Sequence, residues 1–195
     1  VYDSDVLCIA RAEYNGKSEY LYLPCEEKAM DKAFARLGAA PGNAKIKLED
    51  FSINNSKWFE RFKRIAADEG VYELNGLATA INSADTDLKK LWLVAEYAEV
   101  EEAGQLARLA ENIDCFTVVE GAADYENVGR YIIDNNDCYA LHPELEDYFD
   151  FNGFGEHIAE EYGGKFIDGN FIYNDTFTSL SEILCQDEPI TMEGM

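Results

Sequence analysis

Positive charge is what this sequence lacks most. Beyond residue 123 the only basic side chains are Arg130 and Lys165, set against 17 carboxylates in residues 124–195. The net charge there is −15, while residues 71–123 carry −7 and residues 1–70 only −1, within a total of −23. Self-repulsion on that scale works against a compact chain. It also exceeds what solubility requires, since a net charge of about 2–8 is enough for a small domain. A surface so poor in Lys and Arg is unsuited to nucleic acid or an anionic membrane, both of which are held by cations.

Other absences narrow the classes further. The five cysteines, Cys8, Cys25, Cys115, Cys138 and Cys185, are scattered, odd in number and form no C-x-x-C pair. They read as free thiols of a reducing compartment and not as a disulfide framework or zinc site. The longest strictly apolar run, Leu91-Trp92-Leu93-Val94-Ala95, is far short of a membrane span. The opening Val1-Tyr2-Asp3-Ser4-Asp5 has neither the basic nor the apolar region of a signal peptide, so a cytoplasmic location is expected. Neither a P-loop nor a G-x-S-x-G elbow is present. His142 and His157 are the only histidines, in no metal-binding spacing. Asp134-Asn135-Asn136-Asp137 begins like a calcium loop, but Tyr139 stands at the sixth position, where Gly is needed, and Leu145 at the last, where Glu is needed. Paired carboxylates arise by chance in a chain this acidic, so they do not by themselves indicate a glycosidase. The expectation is a protein without enzymatic activity, metal or cofactor.

What the chain does contain is a core. Its 12 Tyr and 11 Phe argue against disorder, because disordered acidic chains are poor in aromatics. Residues 6–14, the Asn15-Gly16 turn and Tyr20 to Leu23 read as a hairpin. Met30, Ala33, Phe34 and Leu37 share a helix face that stops at Gly38. Ile46 and Leu48 alternate with lysines as in a half-buried strand. Trp58, Phe62 and Ile65 predict a helix ending near Gly70. Three helical stripes follow: Leu74, Leu77, Ala78 and Ile81; Leu88, Leu91, Trp92 and Ala95; Leu106, Leu109, Ala110 and Ile113. Asp85 and Asp87 sit where the second would be capped, and short connections make the three an antiparallel helical unit. Cys115 to Val119 is a strand candidate, and Tyr125, Val128 and Ile132 line a helix. Residues 134–137 read as a polar loop, and Phe151, Phe154, Ile158 and Tyr162 as a further helix, ended by Gly163-Gly164. Lys165 to Tyr173 is a hairpin around Asp168-Gly169, followed by a helical or loosely ordered tail. The fold class is α+β, with three small domains expected: mixed α/β over 1–70, helical over 71–121, and α/β with a hairpin over 122–195.

A single exposed carboxylate usually just keeps a helix face wet. Here the ensemble is unusual, because the interleaved cations that normally make i,i+4 pairs are missing. Glu96, Glu99, Glu101 and Glu102 have no neighbouring base in sequence until Arg108. Glu144, Glu146, Asp147, Asp150, Glu156, Glu160 and Glu161 have none until Lys165. Glu156 and Glu160, four residues apart, are separated by roughly 6 Å along a helix axis, comparable with the roughly 3.4 Å rise per phosphate of a DNA strand. Rows of this kind can steer into a basic cleft as DNA does. The candidate partner-binding acids are these together with Asp124, Glu126, Asp134, Asp137 and Asp168.

The segment Asp147-Tyr148-Phe149-Asp150-Phe151-Asn152-Gly153-Phe154-Gly155-Glu156-His157-Ile158 resembles the antirestriction motif of the ArdA family: paired aromatics, Asp, an aromatic, then Phe and an aliphatic on a helix. Glu73-Leu74-Asn75-Gly76-Leu77-Ala78 is similar to that family's central region, and the closing hairpin to its C-terminal strands. The likeness runs over about residues 72–173 and is thin over 1–70. It departs from the family at Gly153 and Gly155, each costing about 1 kcal/mol within a helix, and at His157, a near-neutral group where a charge is usual. The resemblance implies an elongated chain of three small domains that pairs into a curved homodimer imitating bent DNA. It further implies inhibition of Type I restriction–modification enzymes through the DNA groove of the methyltransferase core, and carriage on mobile genetic elements. Tyr148, Phe149, Asp150, Phe151 and Phe154 match the motif, which implies a structural or dimer-contact role. The alternative from another class is an acidic adaptor for a basic protein unrelated to DNA.

Overall fold

The computed structural model describes residues 6–84, 87–139 and 141–185. Within them the chain has an α+β fold of small antiparallel sheets and packed helices. It divides into two compact units, one of residues 1–95 and 99–113, the other of residues 96–98 and 114–195.

The first unit opens with the expected hairpin. Strands β1 (Cys8–Tyr14) and β2 (Lys17–Leu23) pair antiparallel, with Tyr14 opposite Lys17. Asn15 and Gly16 take φ of 48° and 78° in the two-residue turn between them, the left-handed pair that suits strand twist. Strand β3 (Lys45–Phe51) pairs with the other edge of β1, giving the order β2-β1-β3 with a bulge between Ile9 and Ala10. Period-two burial puts Cys8, Ala10, Ala12, Leu21, Leu23, Ile46 and Leu48 in the core. Helix α1 (Glu27–Leu37) buries its predicted face, Met30, Ala33, Phe34 and Leu37, and ends at Gly38 with φ 74°. Helix α2 (Ser56–Asp68) starts at the Asn55 cap and buries Trp58, Phe62 and Ile65 completely or nearly so.

Helices α3 (Val71–Ala84), α4 (Leu88–Ala98) and α5 (Ala103–Glu111) stand where the three stripes predict them, but α4 buries Leu93 and Val94 along with Leu91 and Ala95 and leaves Leu88 and Trp92 half-buried. Ile113, expected on the third stripe, is buried in a 3-10 turn just beyond α5. Asp87 accepts from Lys89 N at 2.9 Å, as a cap should; Asp85 lies outside the described residues.

Apart from residues 96–98 at the end of α4, these helices join the N-terminal strands in one unit, so no break in packing falls at residue 70. Named contacts show why. The buried Asn75 amide takes both backbone groups of Cys25, accepting from its N at 2.8 Å and donating to its O at 3.0 Å. Tyr72 donates to Asp31 at 2.9 Å and stacks on Phe34. Trp58 meets Trp92 edge-on at 5.4 Å, and the buried Arg61 guanidinium lies over both rings, at 5.6 and 4.2 Å.

The second unit centres on a sheet of order β4-β6-β5, with β4 (Phe116–Val119), β5 (Lys165–Ile167) and β6 (Asn170–Asn174) all antiparallel. The predicted hairpin turns at Asp168 and Gly169, with φ of 48° and 73°. Asn170 braces it, donating to Ile167 O and Asp168 O and accepting from Gly121 N. Helices α6 (Tyr125–Asn135) and α7 (Phe151–Tyr162) pack on each other and on the sheet around Val128, Ile132, Ile158, Ala159, Phe171 and Tyr173. The polar run 134–137 is not one loop: α6 continues through Asn135, and a 3-10 turn occupies Asp137–Tyr139. Beyond Asn174 a short helix α8 (Leu180–Leu184) begins at a Ser179–Glu182 capping box. No helix among the described residues is long and apolar enough to cross a membrane.

Candidate acidic partner-binding surface

In the first unit, three of the candidate acids follow α4. Glu99 takes φ 57°, and Glu101 and Glu102 are exposed at the start of α5. Glu101 is not without a base. Packing brings Arg64 of α2 onto it, with contacts of 3.0 and 3.3 Å to its two oxygens, a forked pairing across 37 residues of sequence. Both partners are more than half exposed, so the pair adds little stability, but it reduces the free negative charge. Beside it a hollow of about 460 Å3 is lined by Arg61 and Arg64 together with Asp68, Glu69, Glu101 and Glu102. Glu69, which sequence reasoning did not single out, receives Ala103 N on both oxygens at 3.1 Å and so closes the first turn of α5.

In the second unit the acids have different tasks. Asp124 and Asp150 are helix caps, accepting from Asn127 N and Gly153 N at 2.9 Å each. Their charges also complement the helix N-termini. Glu126 pairs with Arg130 at 2.9 Å one turn along α6, and Glu161 lies 3.4 Å from His157. Asp134 is exposed on the last turn of α6, and Asp168 is exposed in the hairpin turn. Glu96, on the last turn of α4, is half-buried. The Asp137 side chain lies outside the described residues. Glu144, Glu146 and Asp147 are exposed on the 3-10 segment Pro143–Tyr148. Glu156 and Glu160 are exposed one turn apart on α7.

The motif-like segment folds against α6. A hollow of about 390 Å3 is lined by Glu126, Arg130, Glu146, Asp147, Phe149, Asp150, Phe151 and Asn152. Four acidic residues thus share the lining with one arginine, whose guanidinium pairs with Glu126 at 2.9 Å and lies 4.1 Å above the Phe151 ring. Arg130 is the member that sequence reasoning passed over; its i,i+4 spacing from Glu126 was the available signal. Phe149 meets Phe151 and Phe154 edge-on at 5.0 and 5.6 Å. Phe151 is buried, Phe149 and Phe154 are half-buried, and Tyr148 is 87% exposed. The motif aromatics therefore divide into an internal cluster and one ring offered to solvent.

No protein-family model and no curated protein matches the chain. Among the described residues no group of His, Cys, Asp and Glu is arranged to hold a metal ion. The acidic hollow can attract cationic side chains, with Arg130 in its lining and an exposed aromatic ring, Tyr148, beside it in sequence.

Proposed function

We propose that this chain is a DNA mimic that inhibits Type I restriction–modification enzymes by occupying the DNA groove of the methyltransferase core. One observation carries the reading. The segment resembling the antirestriction motif places Glu146, Asp147 and Asp150 in the lining of one hollow with Glu126 and Arg130. Glu144, Glu156 and Glu160 add exposed charge in the same unit. A groove built for phosphates presents Lys and Arg, and an acidic surface gains from it the electrostatic steering that DNA gains. The protein works as a homodimer in the cytoplasm, with Tyr148 at or beside the contact between copies, and needs no cofactor.

The test is restriction and methylation by purified Type I enzymes with added protein over a salt series. Both activities fall together, because both need the same grip on DNA, and the inhibition weakens as salt rises. Cleavage and methylation left untouched across several such enzymes would falsify the proposal. Binding to an enzyme that still holds its DNA would instead favour an adaptor unrelated to DNA.

A further inference from the structure

On the second unit a cavity of about 350 Å3 has four tyrosines in its lining, Tyr131, Tyr139, Tyr162 and Tyr173. The Tyr162 and Tyr173 rings lie 5.7 Å apart and are tilted by 55°, so they form a corner and do not stack flat. Among the described residues Asp175 is the one charged member of the lining, and no Lys, Arg or His contributes to it. Asp175 is held in place by a hydrogen bond from the Thr117 hydroxyl and by its own backbone N–H to Cys115 O. Asn135, also in the lining, has its amide nitrogen occupied by Tyr131 O. Burial raises the Tyr173 phenol to about 12, and Tyr162 is also raised, so both rings stay neutral at physiological pH.

We propose that this cavity binds an alkylated ammonium cation, either a free one such as choline or one carried on a methylated lysine side chain. Aromatic rings set at angles offer their negative faces to such a cation, whose methyl groups shed water readily. Asp175 supplies the formal counter-charge at the rim. Among the described residues an anion would find no cationic side chain in the lining. The site is independent of the DNA-mimic reading, since it uses none of the acids proposed for that surface.

The experiment is a titration of the isotope-labelled full chain with choline chloride at constant ionic strength, followed by backbone amide shifts. Saturable shifts concentrate at Thr117, Tyr131, Tyr162, Tyr173 and Asp175. The uncharged isostere, with a tert-butyl group in place of trimethylammonium, binds at least about ten-fold more weakly. Asp175→Asn keeps the acceptor for Thr117 and lowers choline affinity several-fold without altering the melting temperature. Tyr162→Leu removes one wall and abolishes saturation. A parallel titration with the amide of acetylated trimethyllysine separates the two sources, the tighter ligand naming the natural one. Equal binding of the uncharged isostere overturns the proposal, as do shifts spread over the acidic helix faces or no saturable binding of either cation.

Discussion

Gly129 of α6 and Gly155 of α7 meet backbone to backbone. A Cβ on Gly129 would lie 3.2 Å from Gly155 N and closer still to the Phe151 carbonyl, and a Cβ on Gly155 would lie 3.0 Å from Gly129 N and run into the Tyr125 carbonyl. The obstacles are backbone atoms, which cannot swing aside as a side-chain tip can. The glycine that looks like a helix defect in the motif-like segment is what lets the two helices close.

Alanine at either position therefore destabilises the protein by about 1–3 kcal/mol or more, the usual cost of overpacking. Gly76 of α3 is a fair control, because a Cβ there meets nothing within 4 Å. Gly76→Ala should stabilise by about 0.5–1 kcal/mol through helix propensity alone. Urea unfolding of the three variants checks the difference in sign.

Asp150 is both a motif residue and the cap of α7, and the two roles can be separated. Asp150→Ala loses the bond to Gly153 N and about 1 kcal/mol of stability. Asp150→Asn keeps the cap and loses the charge, so it should melt close to the parent while inhibiting restriction less. Thermal melts and inhibition curves on both variants check this pattern.

Much of this architecture is legible in the sequence because it is local. The hairpin at Asn15-Gly16, the stop at Gly38 and the turn at Asp168-Gly169 each follow from residues that tolerate positive φ. Helix stripes such as Met30, Ala33, Phe34 and Leu37 show their period directly. What the sequence hides is which stripes meet. Nothing near Glu101 foretells Arg64, and nothing near Asn75 foretells Cys25, since both pairings depend on where whole helices come to rest. The break in packing consequently falls close to residue 113. The motif is visible as a string, but not the hollow it shares with Arg130, which arises only when α6 lies beside it.

Tyr148 projects into solvent, so its replacement leaves the fold alone. Tyr148→Ala should change stability by no more than about 0.5 kcal/mol yet weaken self-association. Sedimentation equilibrium of the two proteins checks it, with the variant shifted toward monomer.

Alkali should loosen the protein. Burial pushes the Cys8 thiol from 9.0 to about 12 and the Tyr173 phenol from 10.0 to about 12. A raised folded-state pKa gives stability that is fully present below the unfolded value and is lost as pH rises through the folded one. The melting temperature should thus fall between about pH 9 and 12, with phenolate absorbance rising together with unfolding. At mild pH, Cys138 and Cys185, which are exposed, should react first with a thiol reagent, and Cys8 only on unfolding.

The most direct measurement is equilibrium competition between this protein and labelled duplex DNA for the core methyltransferase of a Type I enzyme. The account predicts full displacement of DNA, with an affinity that falls steeply as salt is added. It also predicts that neutralising Glu144, Glu146, Asp147, Glu156 and Glu160 together abolishes displacement while leaving the fold intact. A ternary complex with DNA still bound, or displacement indifferent to salt and to those five substitutions, would contradict it.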